Sequence, residues 1–345
     1  MHLNLSTFHA SQRTLVPVDS YLDRTTFHLL LPPPANSANM KIGNIFNILL
    51  SMQSLRTQLL HNKAKTYGPL ILSASPNIAE LLAGIGYSHI VIDMEHSPTD
   101  ISTTTSILRA IDSASRGKVA AASVAVQNFP IVRAPAHNDV AMTKRILDVL
   151  RPPGGIMFPM IENAEQAAAA VASTRYAPHY RNGIGIRGCA YPFVRASSYG
   201  KNVDYFDIDA QDLLTIMQVE SREAIENIPE IGMVDGVDVI FLGPFDISCS
   251  IGEMGNFEKD GKVMQLIRHA ERLVRETSEK KKAMNVDGNG NGGGLCLGGF
   301  RSPGRPLEEM FSDAVGYQFV CGSVDLGLLQ SAASVDFAAG QEAMQ

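Results

Sequence analysis

From Tyr67 onward, short apolar runs rich in Ile and Val recur, each followed by a polar turn and a longer stretch of helical spacing. The runs are Leu70–Ser75, His89–Glu95, Pro130–Pro135, Gly155–Met160, Leu213–Glu220, Val237–Gly243, Gly294–Gly299 and Gln318–Gly322. Strands alternating with helices predict parallel βαβ units. Eight such units over about 255 residues predict a closed (β/α)8 TIM barrel rather than an open sheet. Asp139–Leu150 reads as a helix behind a capping Asn138 or Asp139, and Asn163–Ser173 as one capped by Asn163 with Gln166 at its third position. Gly261–Ala283 places Val263, Leu266, Ile267, Ala270, Leu273 and Val274 on one face and ends in three lysines, favourable at a helix C-terminus.

The flanks read differently. Residues 1–40 are poorly periodic, end near Leu31-Pro32-Pro33-Pro34, and are expected to be a weakly ordered extension. Residues 41–66 space Ile45, Ile48, Leu49, Met52, Leu55 and Leu59 as an amphipathic helix. The barrel domain is expected over 67–335, with a long connection at 174–212 of the kind that carries function. A Gly-rich insertion at 285–294 contains GxGxxG from Gly288 to Gly293. A dinucleotide fingerprint needs a strand before it and a helix after it; here the order is reversed, so the stretch reads as an insertion.

Composition narrows the function classes. The 345 residues are 45% hydrophobic and 19% charged, which suits a globular enzyme and excludes wholesale disorder. The net charge of −6 leaves no basic excess for nucleic acid. No apolar run approaches a membrane span, and no secretory signal opens the chain. The four cysteines form no CxxC pair, so free thiols in a reducing compartment, the cytoplasm, are expected.

In a parallel barrel, catalytic groups sit at the C-terminal ends of the strands. Run two ends Asp93-Met94-Glu95-His96, run three holds Arg133, run five ends Gln218-Val219-Glu220, and run six ends Gly243-Pro244-Phe245-Asp246. Carboxylates converging on one mouth repel one another and resist desolvation unless a ligand is present. A divalent cation held by Glu220 and Asp246 relieves this, and oxygen donors suit Mg²⁺ or Mn²⁺. No HExxH, GxSxG or P-loop is present, and no strand-end Lys offers a Schiff base. A cation beside Arg133 and His96 suits enolate chemistry on a 2-oxo acid: Arg133 stabilises the oxygen, His96 moves the proton, and Asp93 orients the imidazole.

These residues resemble the HpcH/HpaI aldolase/citrate lyase family of metal-dependent class II pyruvate aldolases. The similar pieces occur in family order between about Tyr67 and Leu329, including GYSHIVIDMEHSPTD at 86–100, LLTIMQVESREAIENI at 213–228 and VDGVDVIFLGPFDISCSIG at 234–252. The resemblance implies His96 as catalytic base, Asp93 as its partner, and Asp148 as an aspartate raising its basicity. It implies Arg133 as the enolate-stabilising residue, Glu220 and Asp246 as metal ligands (Mg²⁺ or Mn²⁺, with Co²⁺ also accepted), and Gln218 as a substrate contact. The backbone amides at Phe245 and Asp246 would hold the substrate carboxylate. The implied partners are a 2-oxo acid and an aldehyde, and the implied assembly is a homo-oligomer, a hexamer with exchanged C-terminal helices. The expected reaction is reversible cleavage of a 4-hydroxy-2-oxo acid to pyruvate and an aldehyde. The alternatives are an oxaloacetate decarboxylase or macrophomate synthase-like enzyme, a CoA-thioester lyase, and a catalytically silent barrel. The chain departs from the family at Asp148–Gly154, which is longer and Pro-bearing, at 285–294, at residues 1–50, and at Phe245, where the family residue is often small.

Overall fold

A computed structural model of the chain describes residues 53–118, 128–177, 185–205, 212–285 and 294–344. Eight parallel strands close into a barrel in sequence order: β1 (Thr66–Ile71), β2 (His89–Asp93), β3 (Phe129–Arg133), β4 (Gly155–Phe158), β5 (Leu214–Val219), β6 (Val239–Leu242), β7 (Cys296–Phe300) and β8 (Tyr317–Val324). All eight predicted runs are found. β1 starts at Thr66, four residues before its predicted start, because Gly68 and Pro69 disguise it. Pro69 is tolerated where the β1–β8 register shifts, a position that asks no ladder hydrogen bond of it.

The helices between strands are α2 (Pro76–Ile85), α3 (Ile101–Lys118), α4 (Val140–Val149), α5 (Ala164–Thr174), α6 (Arg222–Glu226), α7 (Ile228–Met233), α8 (Pro244–Ser250), α9 (Lys262–Asn285) and α10 (Leu307–Met310), preceded by α1 (Leu55–Leu60) and followed by α11 (Asp325–Ala343). Side-chain caps start several of them. The Asp139 carboxylate accepts from Met142 N at 2.9 Å, and Asn163 accepts from Gln166 N at 3.0 Å. At the end of α2, Gly86 takes φ 108°, a left-handed turn that glycine adopts without steric cost.

Strand side chains alternate between two cores. Outward residues such as Ile90, Ile92, Val132, Ile156, Val219, Ile240 and Leu242 pack under the helices. Inward residues, among them Leu70, Val91, Ile131, Met157, Ile216, Phe241 and Phe319, fill the barrel. The interior core also includes Leu55, Leu59 and Leu60, so α1 closes the end of the barrel where the strands begin. Arg56 secures that closure: its Nε donates to both Asp238 oxygens at 3.0 and 3.1 Å. Of the helix expected over 41–66, residues up to 52 lie outside the described set; the rest is helical only over Leu55–Leu60. The predicted extension 1–40 and most of the Gly-rich insertion also lie outside it.

Asp325 ties the opposite end together. Its buried carboxylate accepts from Leu72 N (2.9 Å) and Ser73 N (3.1 Å) beyond β1, and from Leu326 N (2.8 Å) in α11. Among the described residues, no helix is long and apolar enough to cross a membrane.

Candidate active site

Alternation along the strands decides which side chains meet at the mouth. Asp93 and Arg133 are register partners at the ends of β2 and β3, and both continue the inward parity of Val91 and Ile131. The Arg133 guanidinium clamps Asp93 through two bonds, Nε to Oδ1 and Nη2 to Oδ2, each 2.8 Å. Its Nη1 lies 3.0 Å from Glu95 Oε2. Burial works against the guanidinium charge, but the Asp93 hydrogen bonds and the charges of Asp93, Glu95 and Glu220 outweigh it and hold Arg133 firmly protonated.

Gln218 and Glu220 extend the inward face of β5. Gln218 Nε2 donates to Glu220 Oε1, and Met160 N donates to Oε2 at 3.0 Å. Met160 holds φ at 54°, a strained value for a non-glycine residue, which points its amide at the carboxylate. Glu220 is 3% exposed. Burial, and then the neighbouring Asp246 and Glu95 carboxylates, push its pKa up to about 8 against the pull of the Met160 amide and Arg133. Gly243 leaves room for this carboxylate; a Cβ there would collide with Glu220 Oε1. The Gln218 Oε1 is buried without a hydrogen-bond partner.

His96 is exposed at the rim, with Nε2 3.5 Å from Glu95 Oε2. Glu95 Oε2 therefore lies between the imidazole and the guanidinium at ion-pair distances, without a hydrogen bond to either. Burial chiefly raises its pKa, with Asp93 and Asp246 adding to the rise and Arg133 and His96 opposing it. Glu95 stands inside the Asp93-x-Glu95-His96 motif, but the motif's spacing assigns it no role; the fold sets it between Arg133 and His96. Asp246 and Phe245 open α8 and are exposed, and the Phe245 ring meets Phe257 edge-to-face at 5.2 Å.

The arrangement is one of four carboxylates around one guanidinium and one imidazole, with a buried amide oxygen left open. Oxygen donors facing a common space suit a hard divalent cation better than they suit zinc or copper. Among the described residues no group of three or more His, Cys, Asp and Glu is placed to hold a metal.

The sequence model of the HpcH/HpaI aldolase/citrate lyase family matches residues 67–288. The chain belongs to this family. Its reaction class is therefore that of a lyase, and the closed barrel is the fold of its structural neighbours. A 4-hydroxy-2-oxo-heptane-1,7-dioate aldolase of Shigella boydii is 34% identical over 255 residues, 74% of this chain and 82% of that protein. A hydroxypyruvate/pyruvate aldolase of Chromohalobacter salexigens is 33% identical over 267 residues, 77% and 90% of the two chains. The crystal structure of an HpcH/HpaI aldolase/citrate lyase family protein from Burkholderia cenocepacia superposes with a TM-score of 0.67 at 29% identity, covering 84% of this chain and 99% of that one. Macrophomate synthase, at 18% identity and a TM-score of 0.64, shares the barrel alone, so it lends nothing to the decarboxylating alternative.

Within one chain, Asp93 and Asp148 are bonded to arginines rather than to the His96 imidazole. Asp93 does not bond the His96 imidazole: its oxygens are taken by Arg133 and by the amides of Glu95 (2.9 Å) and His96 (3.2 Å). Asp148 does not approach His96 within the chain. It lies at the end of α4, which runs back from the mouth to the end where β4 begins. There it accepts from Arg187 at 3.2 Å, and Arg187 also reaches the Tyr205 hydroxyl at 2.8 Å. The described parts of the long 174–212 connection, including Arg187 and Arg195, pack at that same end, away from the mouth of their own barrel.

Proposed function

We propose that the chain is a divalent-cation-dependent aldolase that reversibly cleaves a 4-hydroxy-2-oxo acid to pyruvate and an aldehyde. The observation that carries this reading is the buried Glu220–Gln218 pair set beside the Arg133–Asp93 clamp in the mouth of a family barrel. Glu220 and Asp246 would hold the cation, Mg²⁺ or Mn²⁺ with Co²⁺ also matched by the donors, and the open Gln218 Oε1 and the high pKa of Glu220 support a positive charge there. Once bound, the cation supplies Lewis-acid polarisation of the 2-oxo carbonyl.

The remaining chemistry falls to the chain. The amides of Phe245 and Asp246, in the first turn of α8, receive the substrate carboxylate. Arg133, fixed by Asp93, stabilises negative charge as it grows on the C2 oxygen. His96 takes the proton from the C4 hydroxyl as the C3–C4 bond breaks and its electron pair moves toward C2. The same imidazole, steadied by Glu95, returns a proton to C3 to give pyruvate. Asp93 serves as a positioning residue for Arg133, and Gln218 contacts the substrate.

Homo-oligomerisation belongs to the same proposal. Every residue from Leu326 to Met344 is exposed, including Leu329, Val335 and Phe337, and exchange of α11 with a neighbouring copy, as in a hexamer, would cover them. The four cysteines are all free thiols, which supports a cytoplasmic enzyme.

Proton NMR of pyruvate in D₂O tests the central step. Loss of the methyl signal with Mg²⁺ or Mn²⁺ and its retention with EDTA are expected. A folded protein that exchanges no methyl protons with any of these cations would overturn the aldolase reading.

A further inference from the structure

The mouth has two unlike halves. The polar groups arise on β2, β3, β5 and β6. The ends of β7, β8 and β1 instead present Phe300, Val324 and Leu72, three partly buried apolar side chains that pack onto the interior core. Phe300 stands edge-to-face on Phe241 at 5.0 Å, which continues the barrel filling up to the rim. Arg301, next along the chain, has the opposite parity to Phe300 and is exposed.

This apolar wall is fixed in place. The Asp325 carboxylate bonds the amides of Leu72 and Ser73, which ties the end of β1 to the residue that follows β8. Among the described residues, no cationic side chain shares the inward parity of Leu72, Phe300 and Val324 at these three strand ends. Among the described residues the guanidinium that points into the mouth is that of Arg133, which is held by Asp93 and Glu95. In the reaction proposed above it serves the C2 oxygen in the polar half rather than a second carboxylate at this wall.

Resting on the aldolase reading, we infer that the half of the substrate leaving as aldehyde is uncharged and apolar, and that it lies against Leu72, Phe300 and Val324. Pyruvate occupies the polar half. A second carboxylate on the leaving aldehyde would be desolvated against an apolar wall with no partner, facing a mouth already rich in carboxylates. A linear or aryl-tipped chain would instead bury its methylenes, each worth a several-fold gain. The relative from Shigella boydii is named for a 1,7-dioate; this chain is assigned a different leaving group.

The test is aldol addition of pyruvate, with Mg²⁺, to pentanal, to hydrocinnamaldehyde and to succinic semialdehyde, using the full-length protein. Pyruvate deuterium exchange is run in parallel. The expected kcat/KM for pentanal exceeds that for succinic semialdehyde by ~10-fold or more. Leu72→Arg is expected to invert this ratio, and Phe300→Ser to reduce it by ~10-fold. Because the ratio is taken within one preparation, partial unfolding of a variant cancels. Methyl exchange with equal rates for the two aldehydes, or with a preference for the semialdehyde, overturns the inference and leaves the aldolase reading intact. Absence of exchange overturns both.

Discussion

Arg133 makes three ionic contacts that share one feature: each depends on a planar fork. Its Nε and Nη2 meet the two oxygens of Asp93 while Nη1 faces Glu95. Lysine would keep the charge and lose the fork. Arg133→Lys is therefore expected to slow pyruvate methyl exchange by ~10² with little change in cation affinity. Glu220→Gln removes a cation donor from the buried pair. Isothermal titration with Mn²⁺ should show binding lost or weakened by ~10² or more, together with loss of exchange; full activity in this variant would sink the assignment. Much of this site was legible in the sequence, because strand-end position and residue type suffice to bring Arg133, Gln218, Glu220 and Asp246 to one mouth. The pairings were not legible. Whether Asp93 serves His96 or Arg133 depends on the β2–β3 register, which sets Asp93 directly opposite Arg133. No spacing within one segment encodes that.

Elements were readable to the extent that their surroundings are symmetric. Barrel strands buried on both faces give unbroken Ile/Val runs, as in His89–Asp93 and Val239–Leu242. The beginning of β1 hid behind Gly68 and Pro69, and the helix expected over 41–66 contributes only six described helical residues before the chain turns into that strand. Gly68 is there for a close approach, since a Cβ would meet the carbonyl and ring of His89. His89 itself is an inward residue at the base, stacked on Phe319 with centroids 3.9 Å apart. Burial lowers its pKa to about 3. The unfolded chain binds this proton below about pH 6.5 and the native state does not, so the stability it confers is full above pH 6.5 and is lost as pH falls toward 3. Urea unfolding should show a contribution of ~1.4 kcal/mol per pH unit between those limits, which His89→Leu flattens. Gly243→Ala acts at a strand end instead: its Cβ meets Glu220, so cation binding should weaken while the barrel still forms.

For the molecule as a whole, the two ends of the barrel have separate tasks. The mouth carries the chemistry, and the base is shut by α1, held through Arg56 and the buried Asp238. Arg56→Ala removes the bound guanidinium from that carboxylate, leaving it the Thr215 amide at 3.0 Å and the nearby Lys281 charge, and is expected to lower unfolding stability by ~2 kcal/mol, measured in urea. Closure also divides the thiols into two populations. Cys189 and Cys249 are exposed, whereas Cys296 and Cys321 are buried inside the sealed barrel, where burial keeps them protonated. A thiol reagent applied to the native protein should add two labels quickly and then pause. The third and fourth arrive only when the vessel opens, so the chain carries its own clock for barrel opening, read by intact mass, and Arg56→Ala should make that clock run fast.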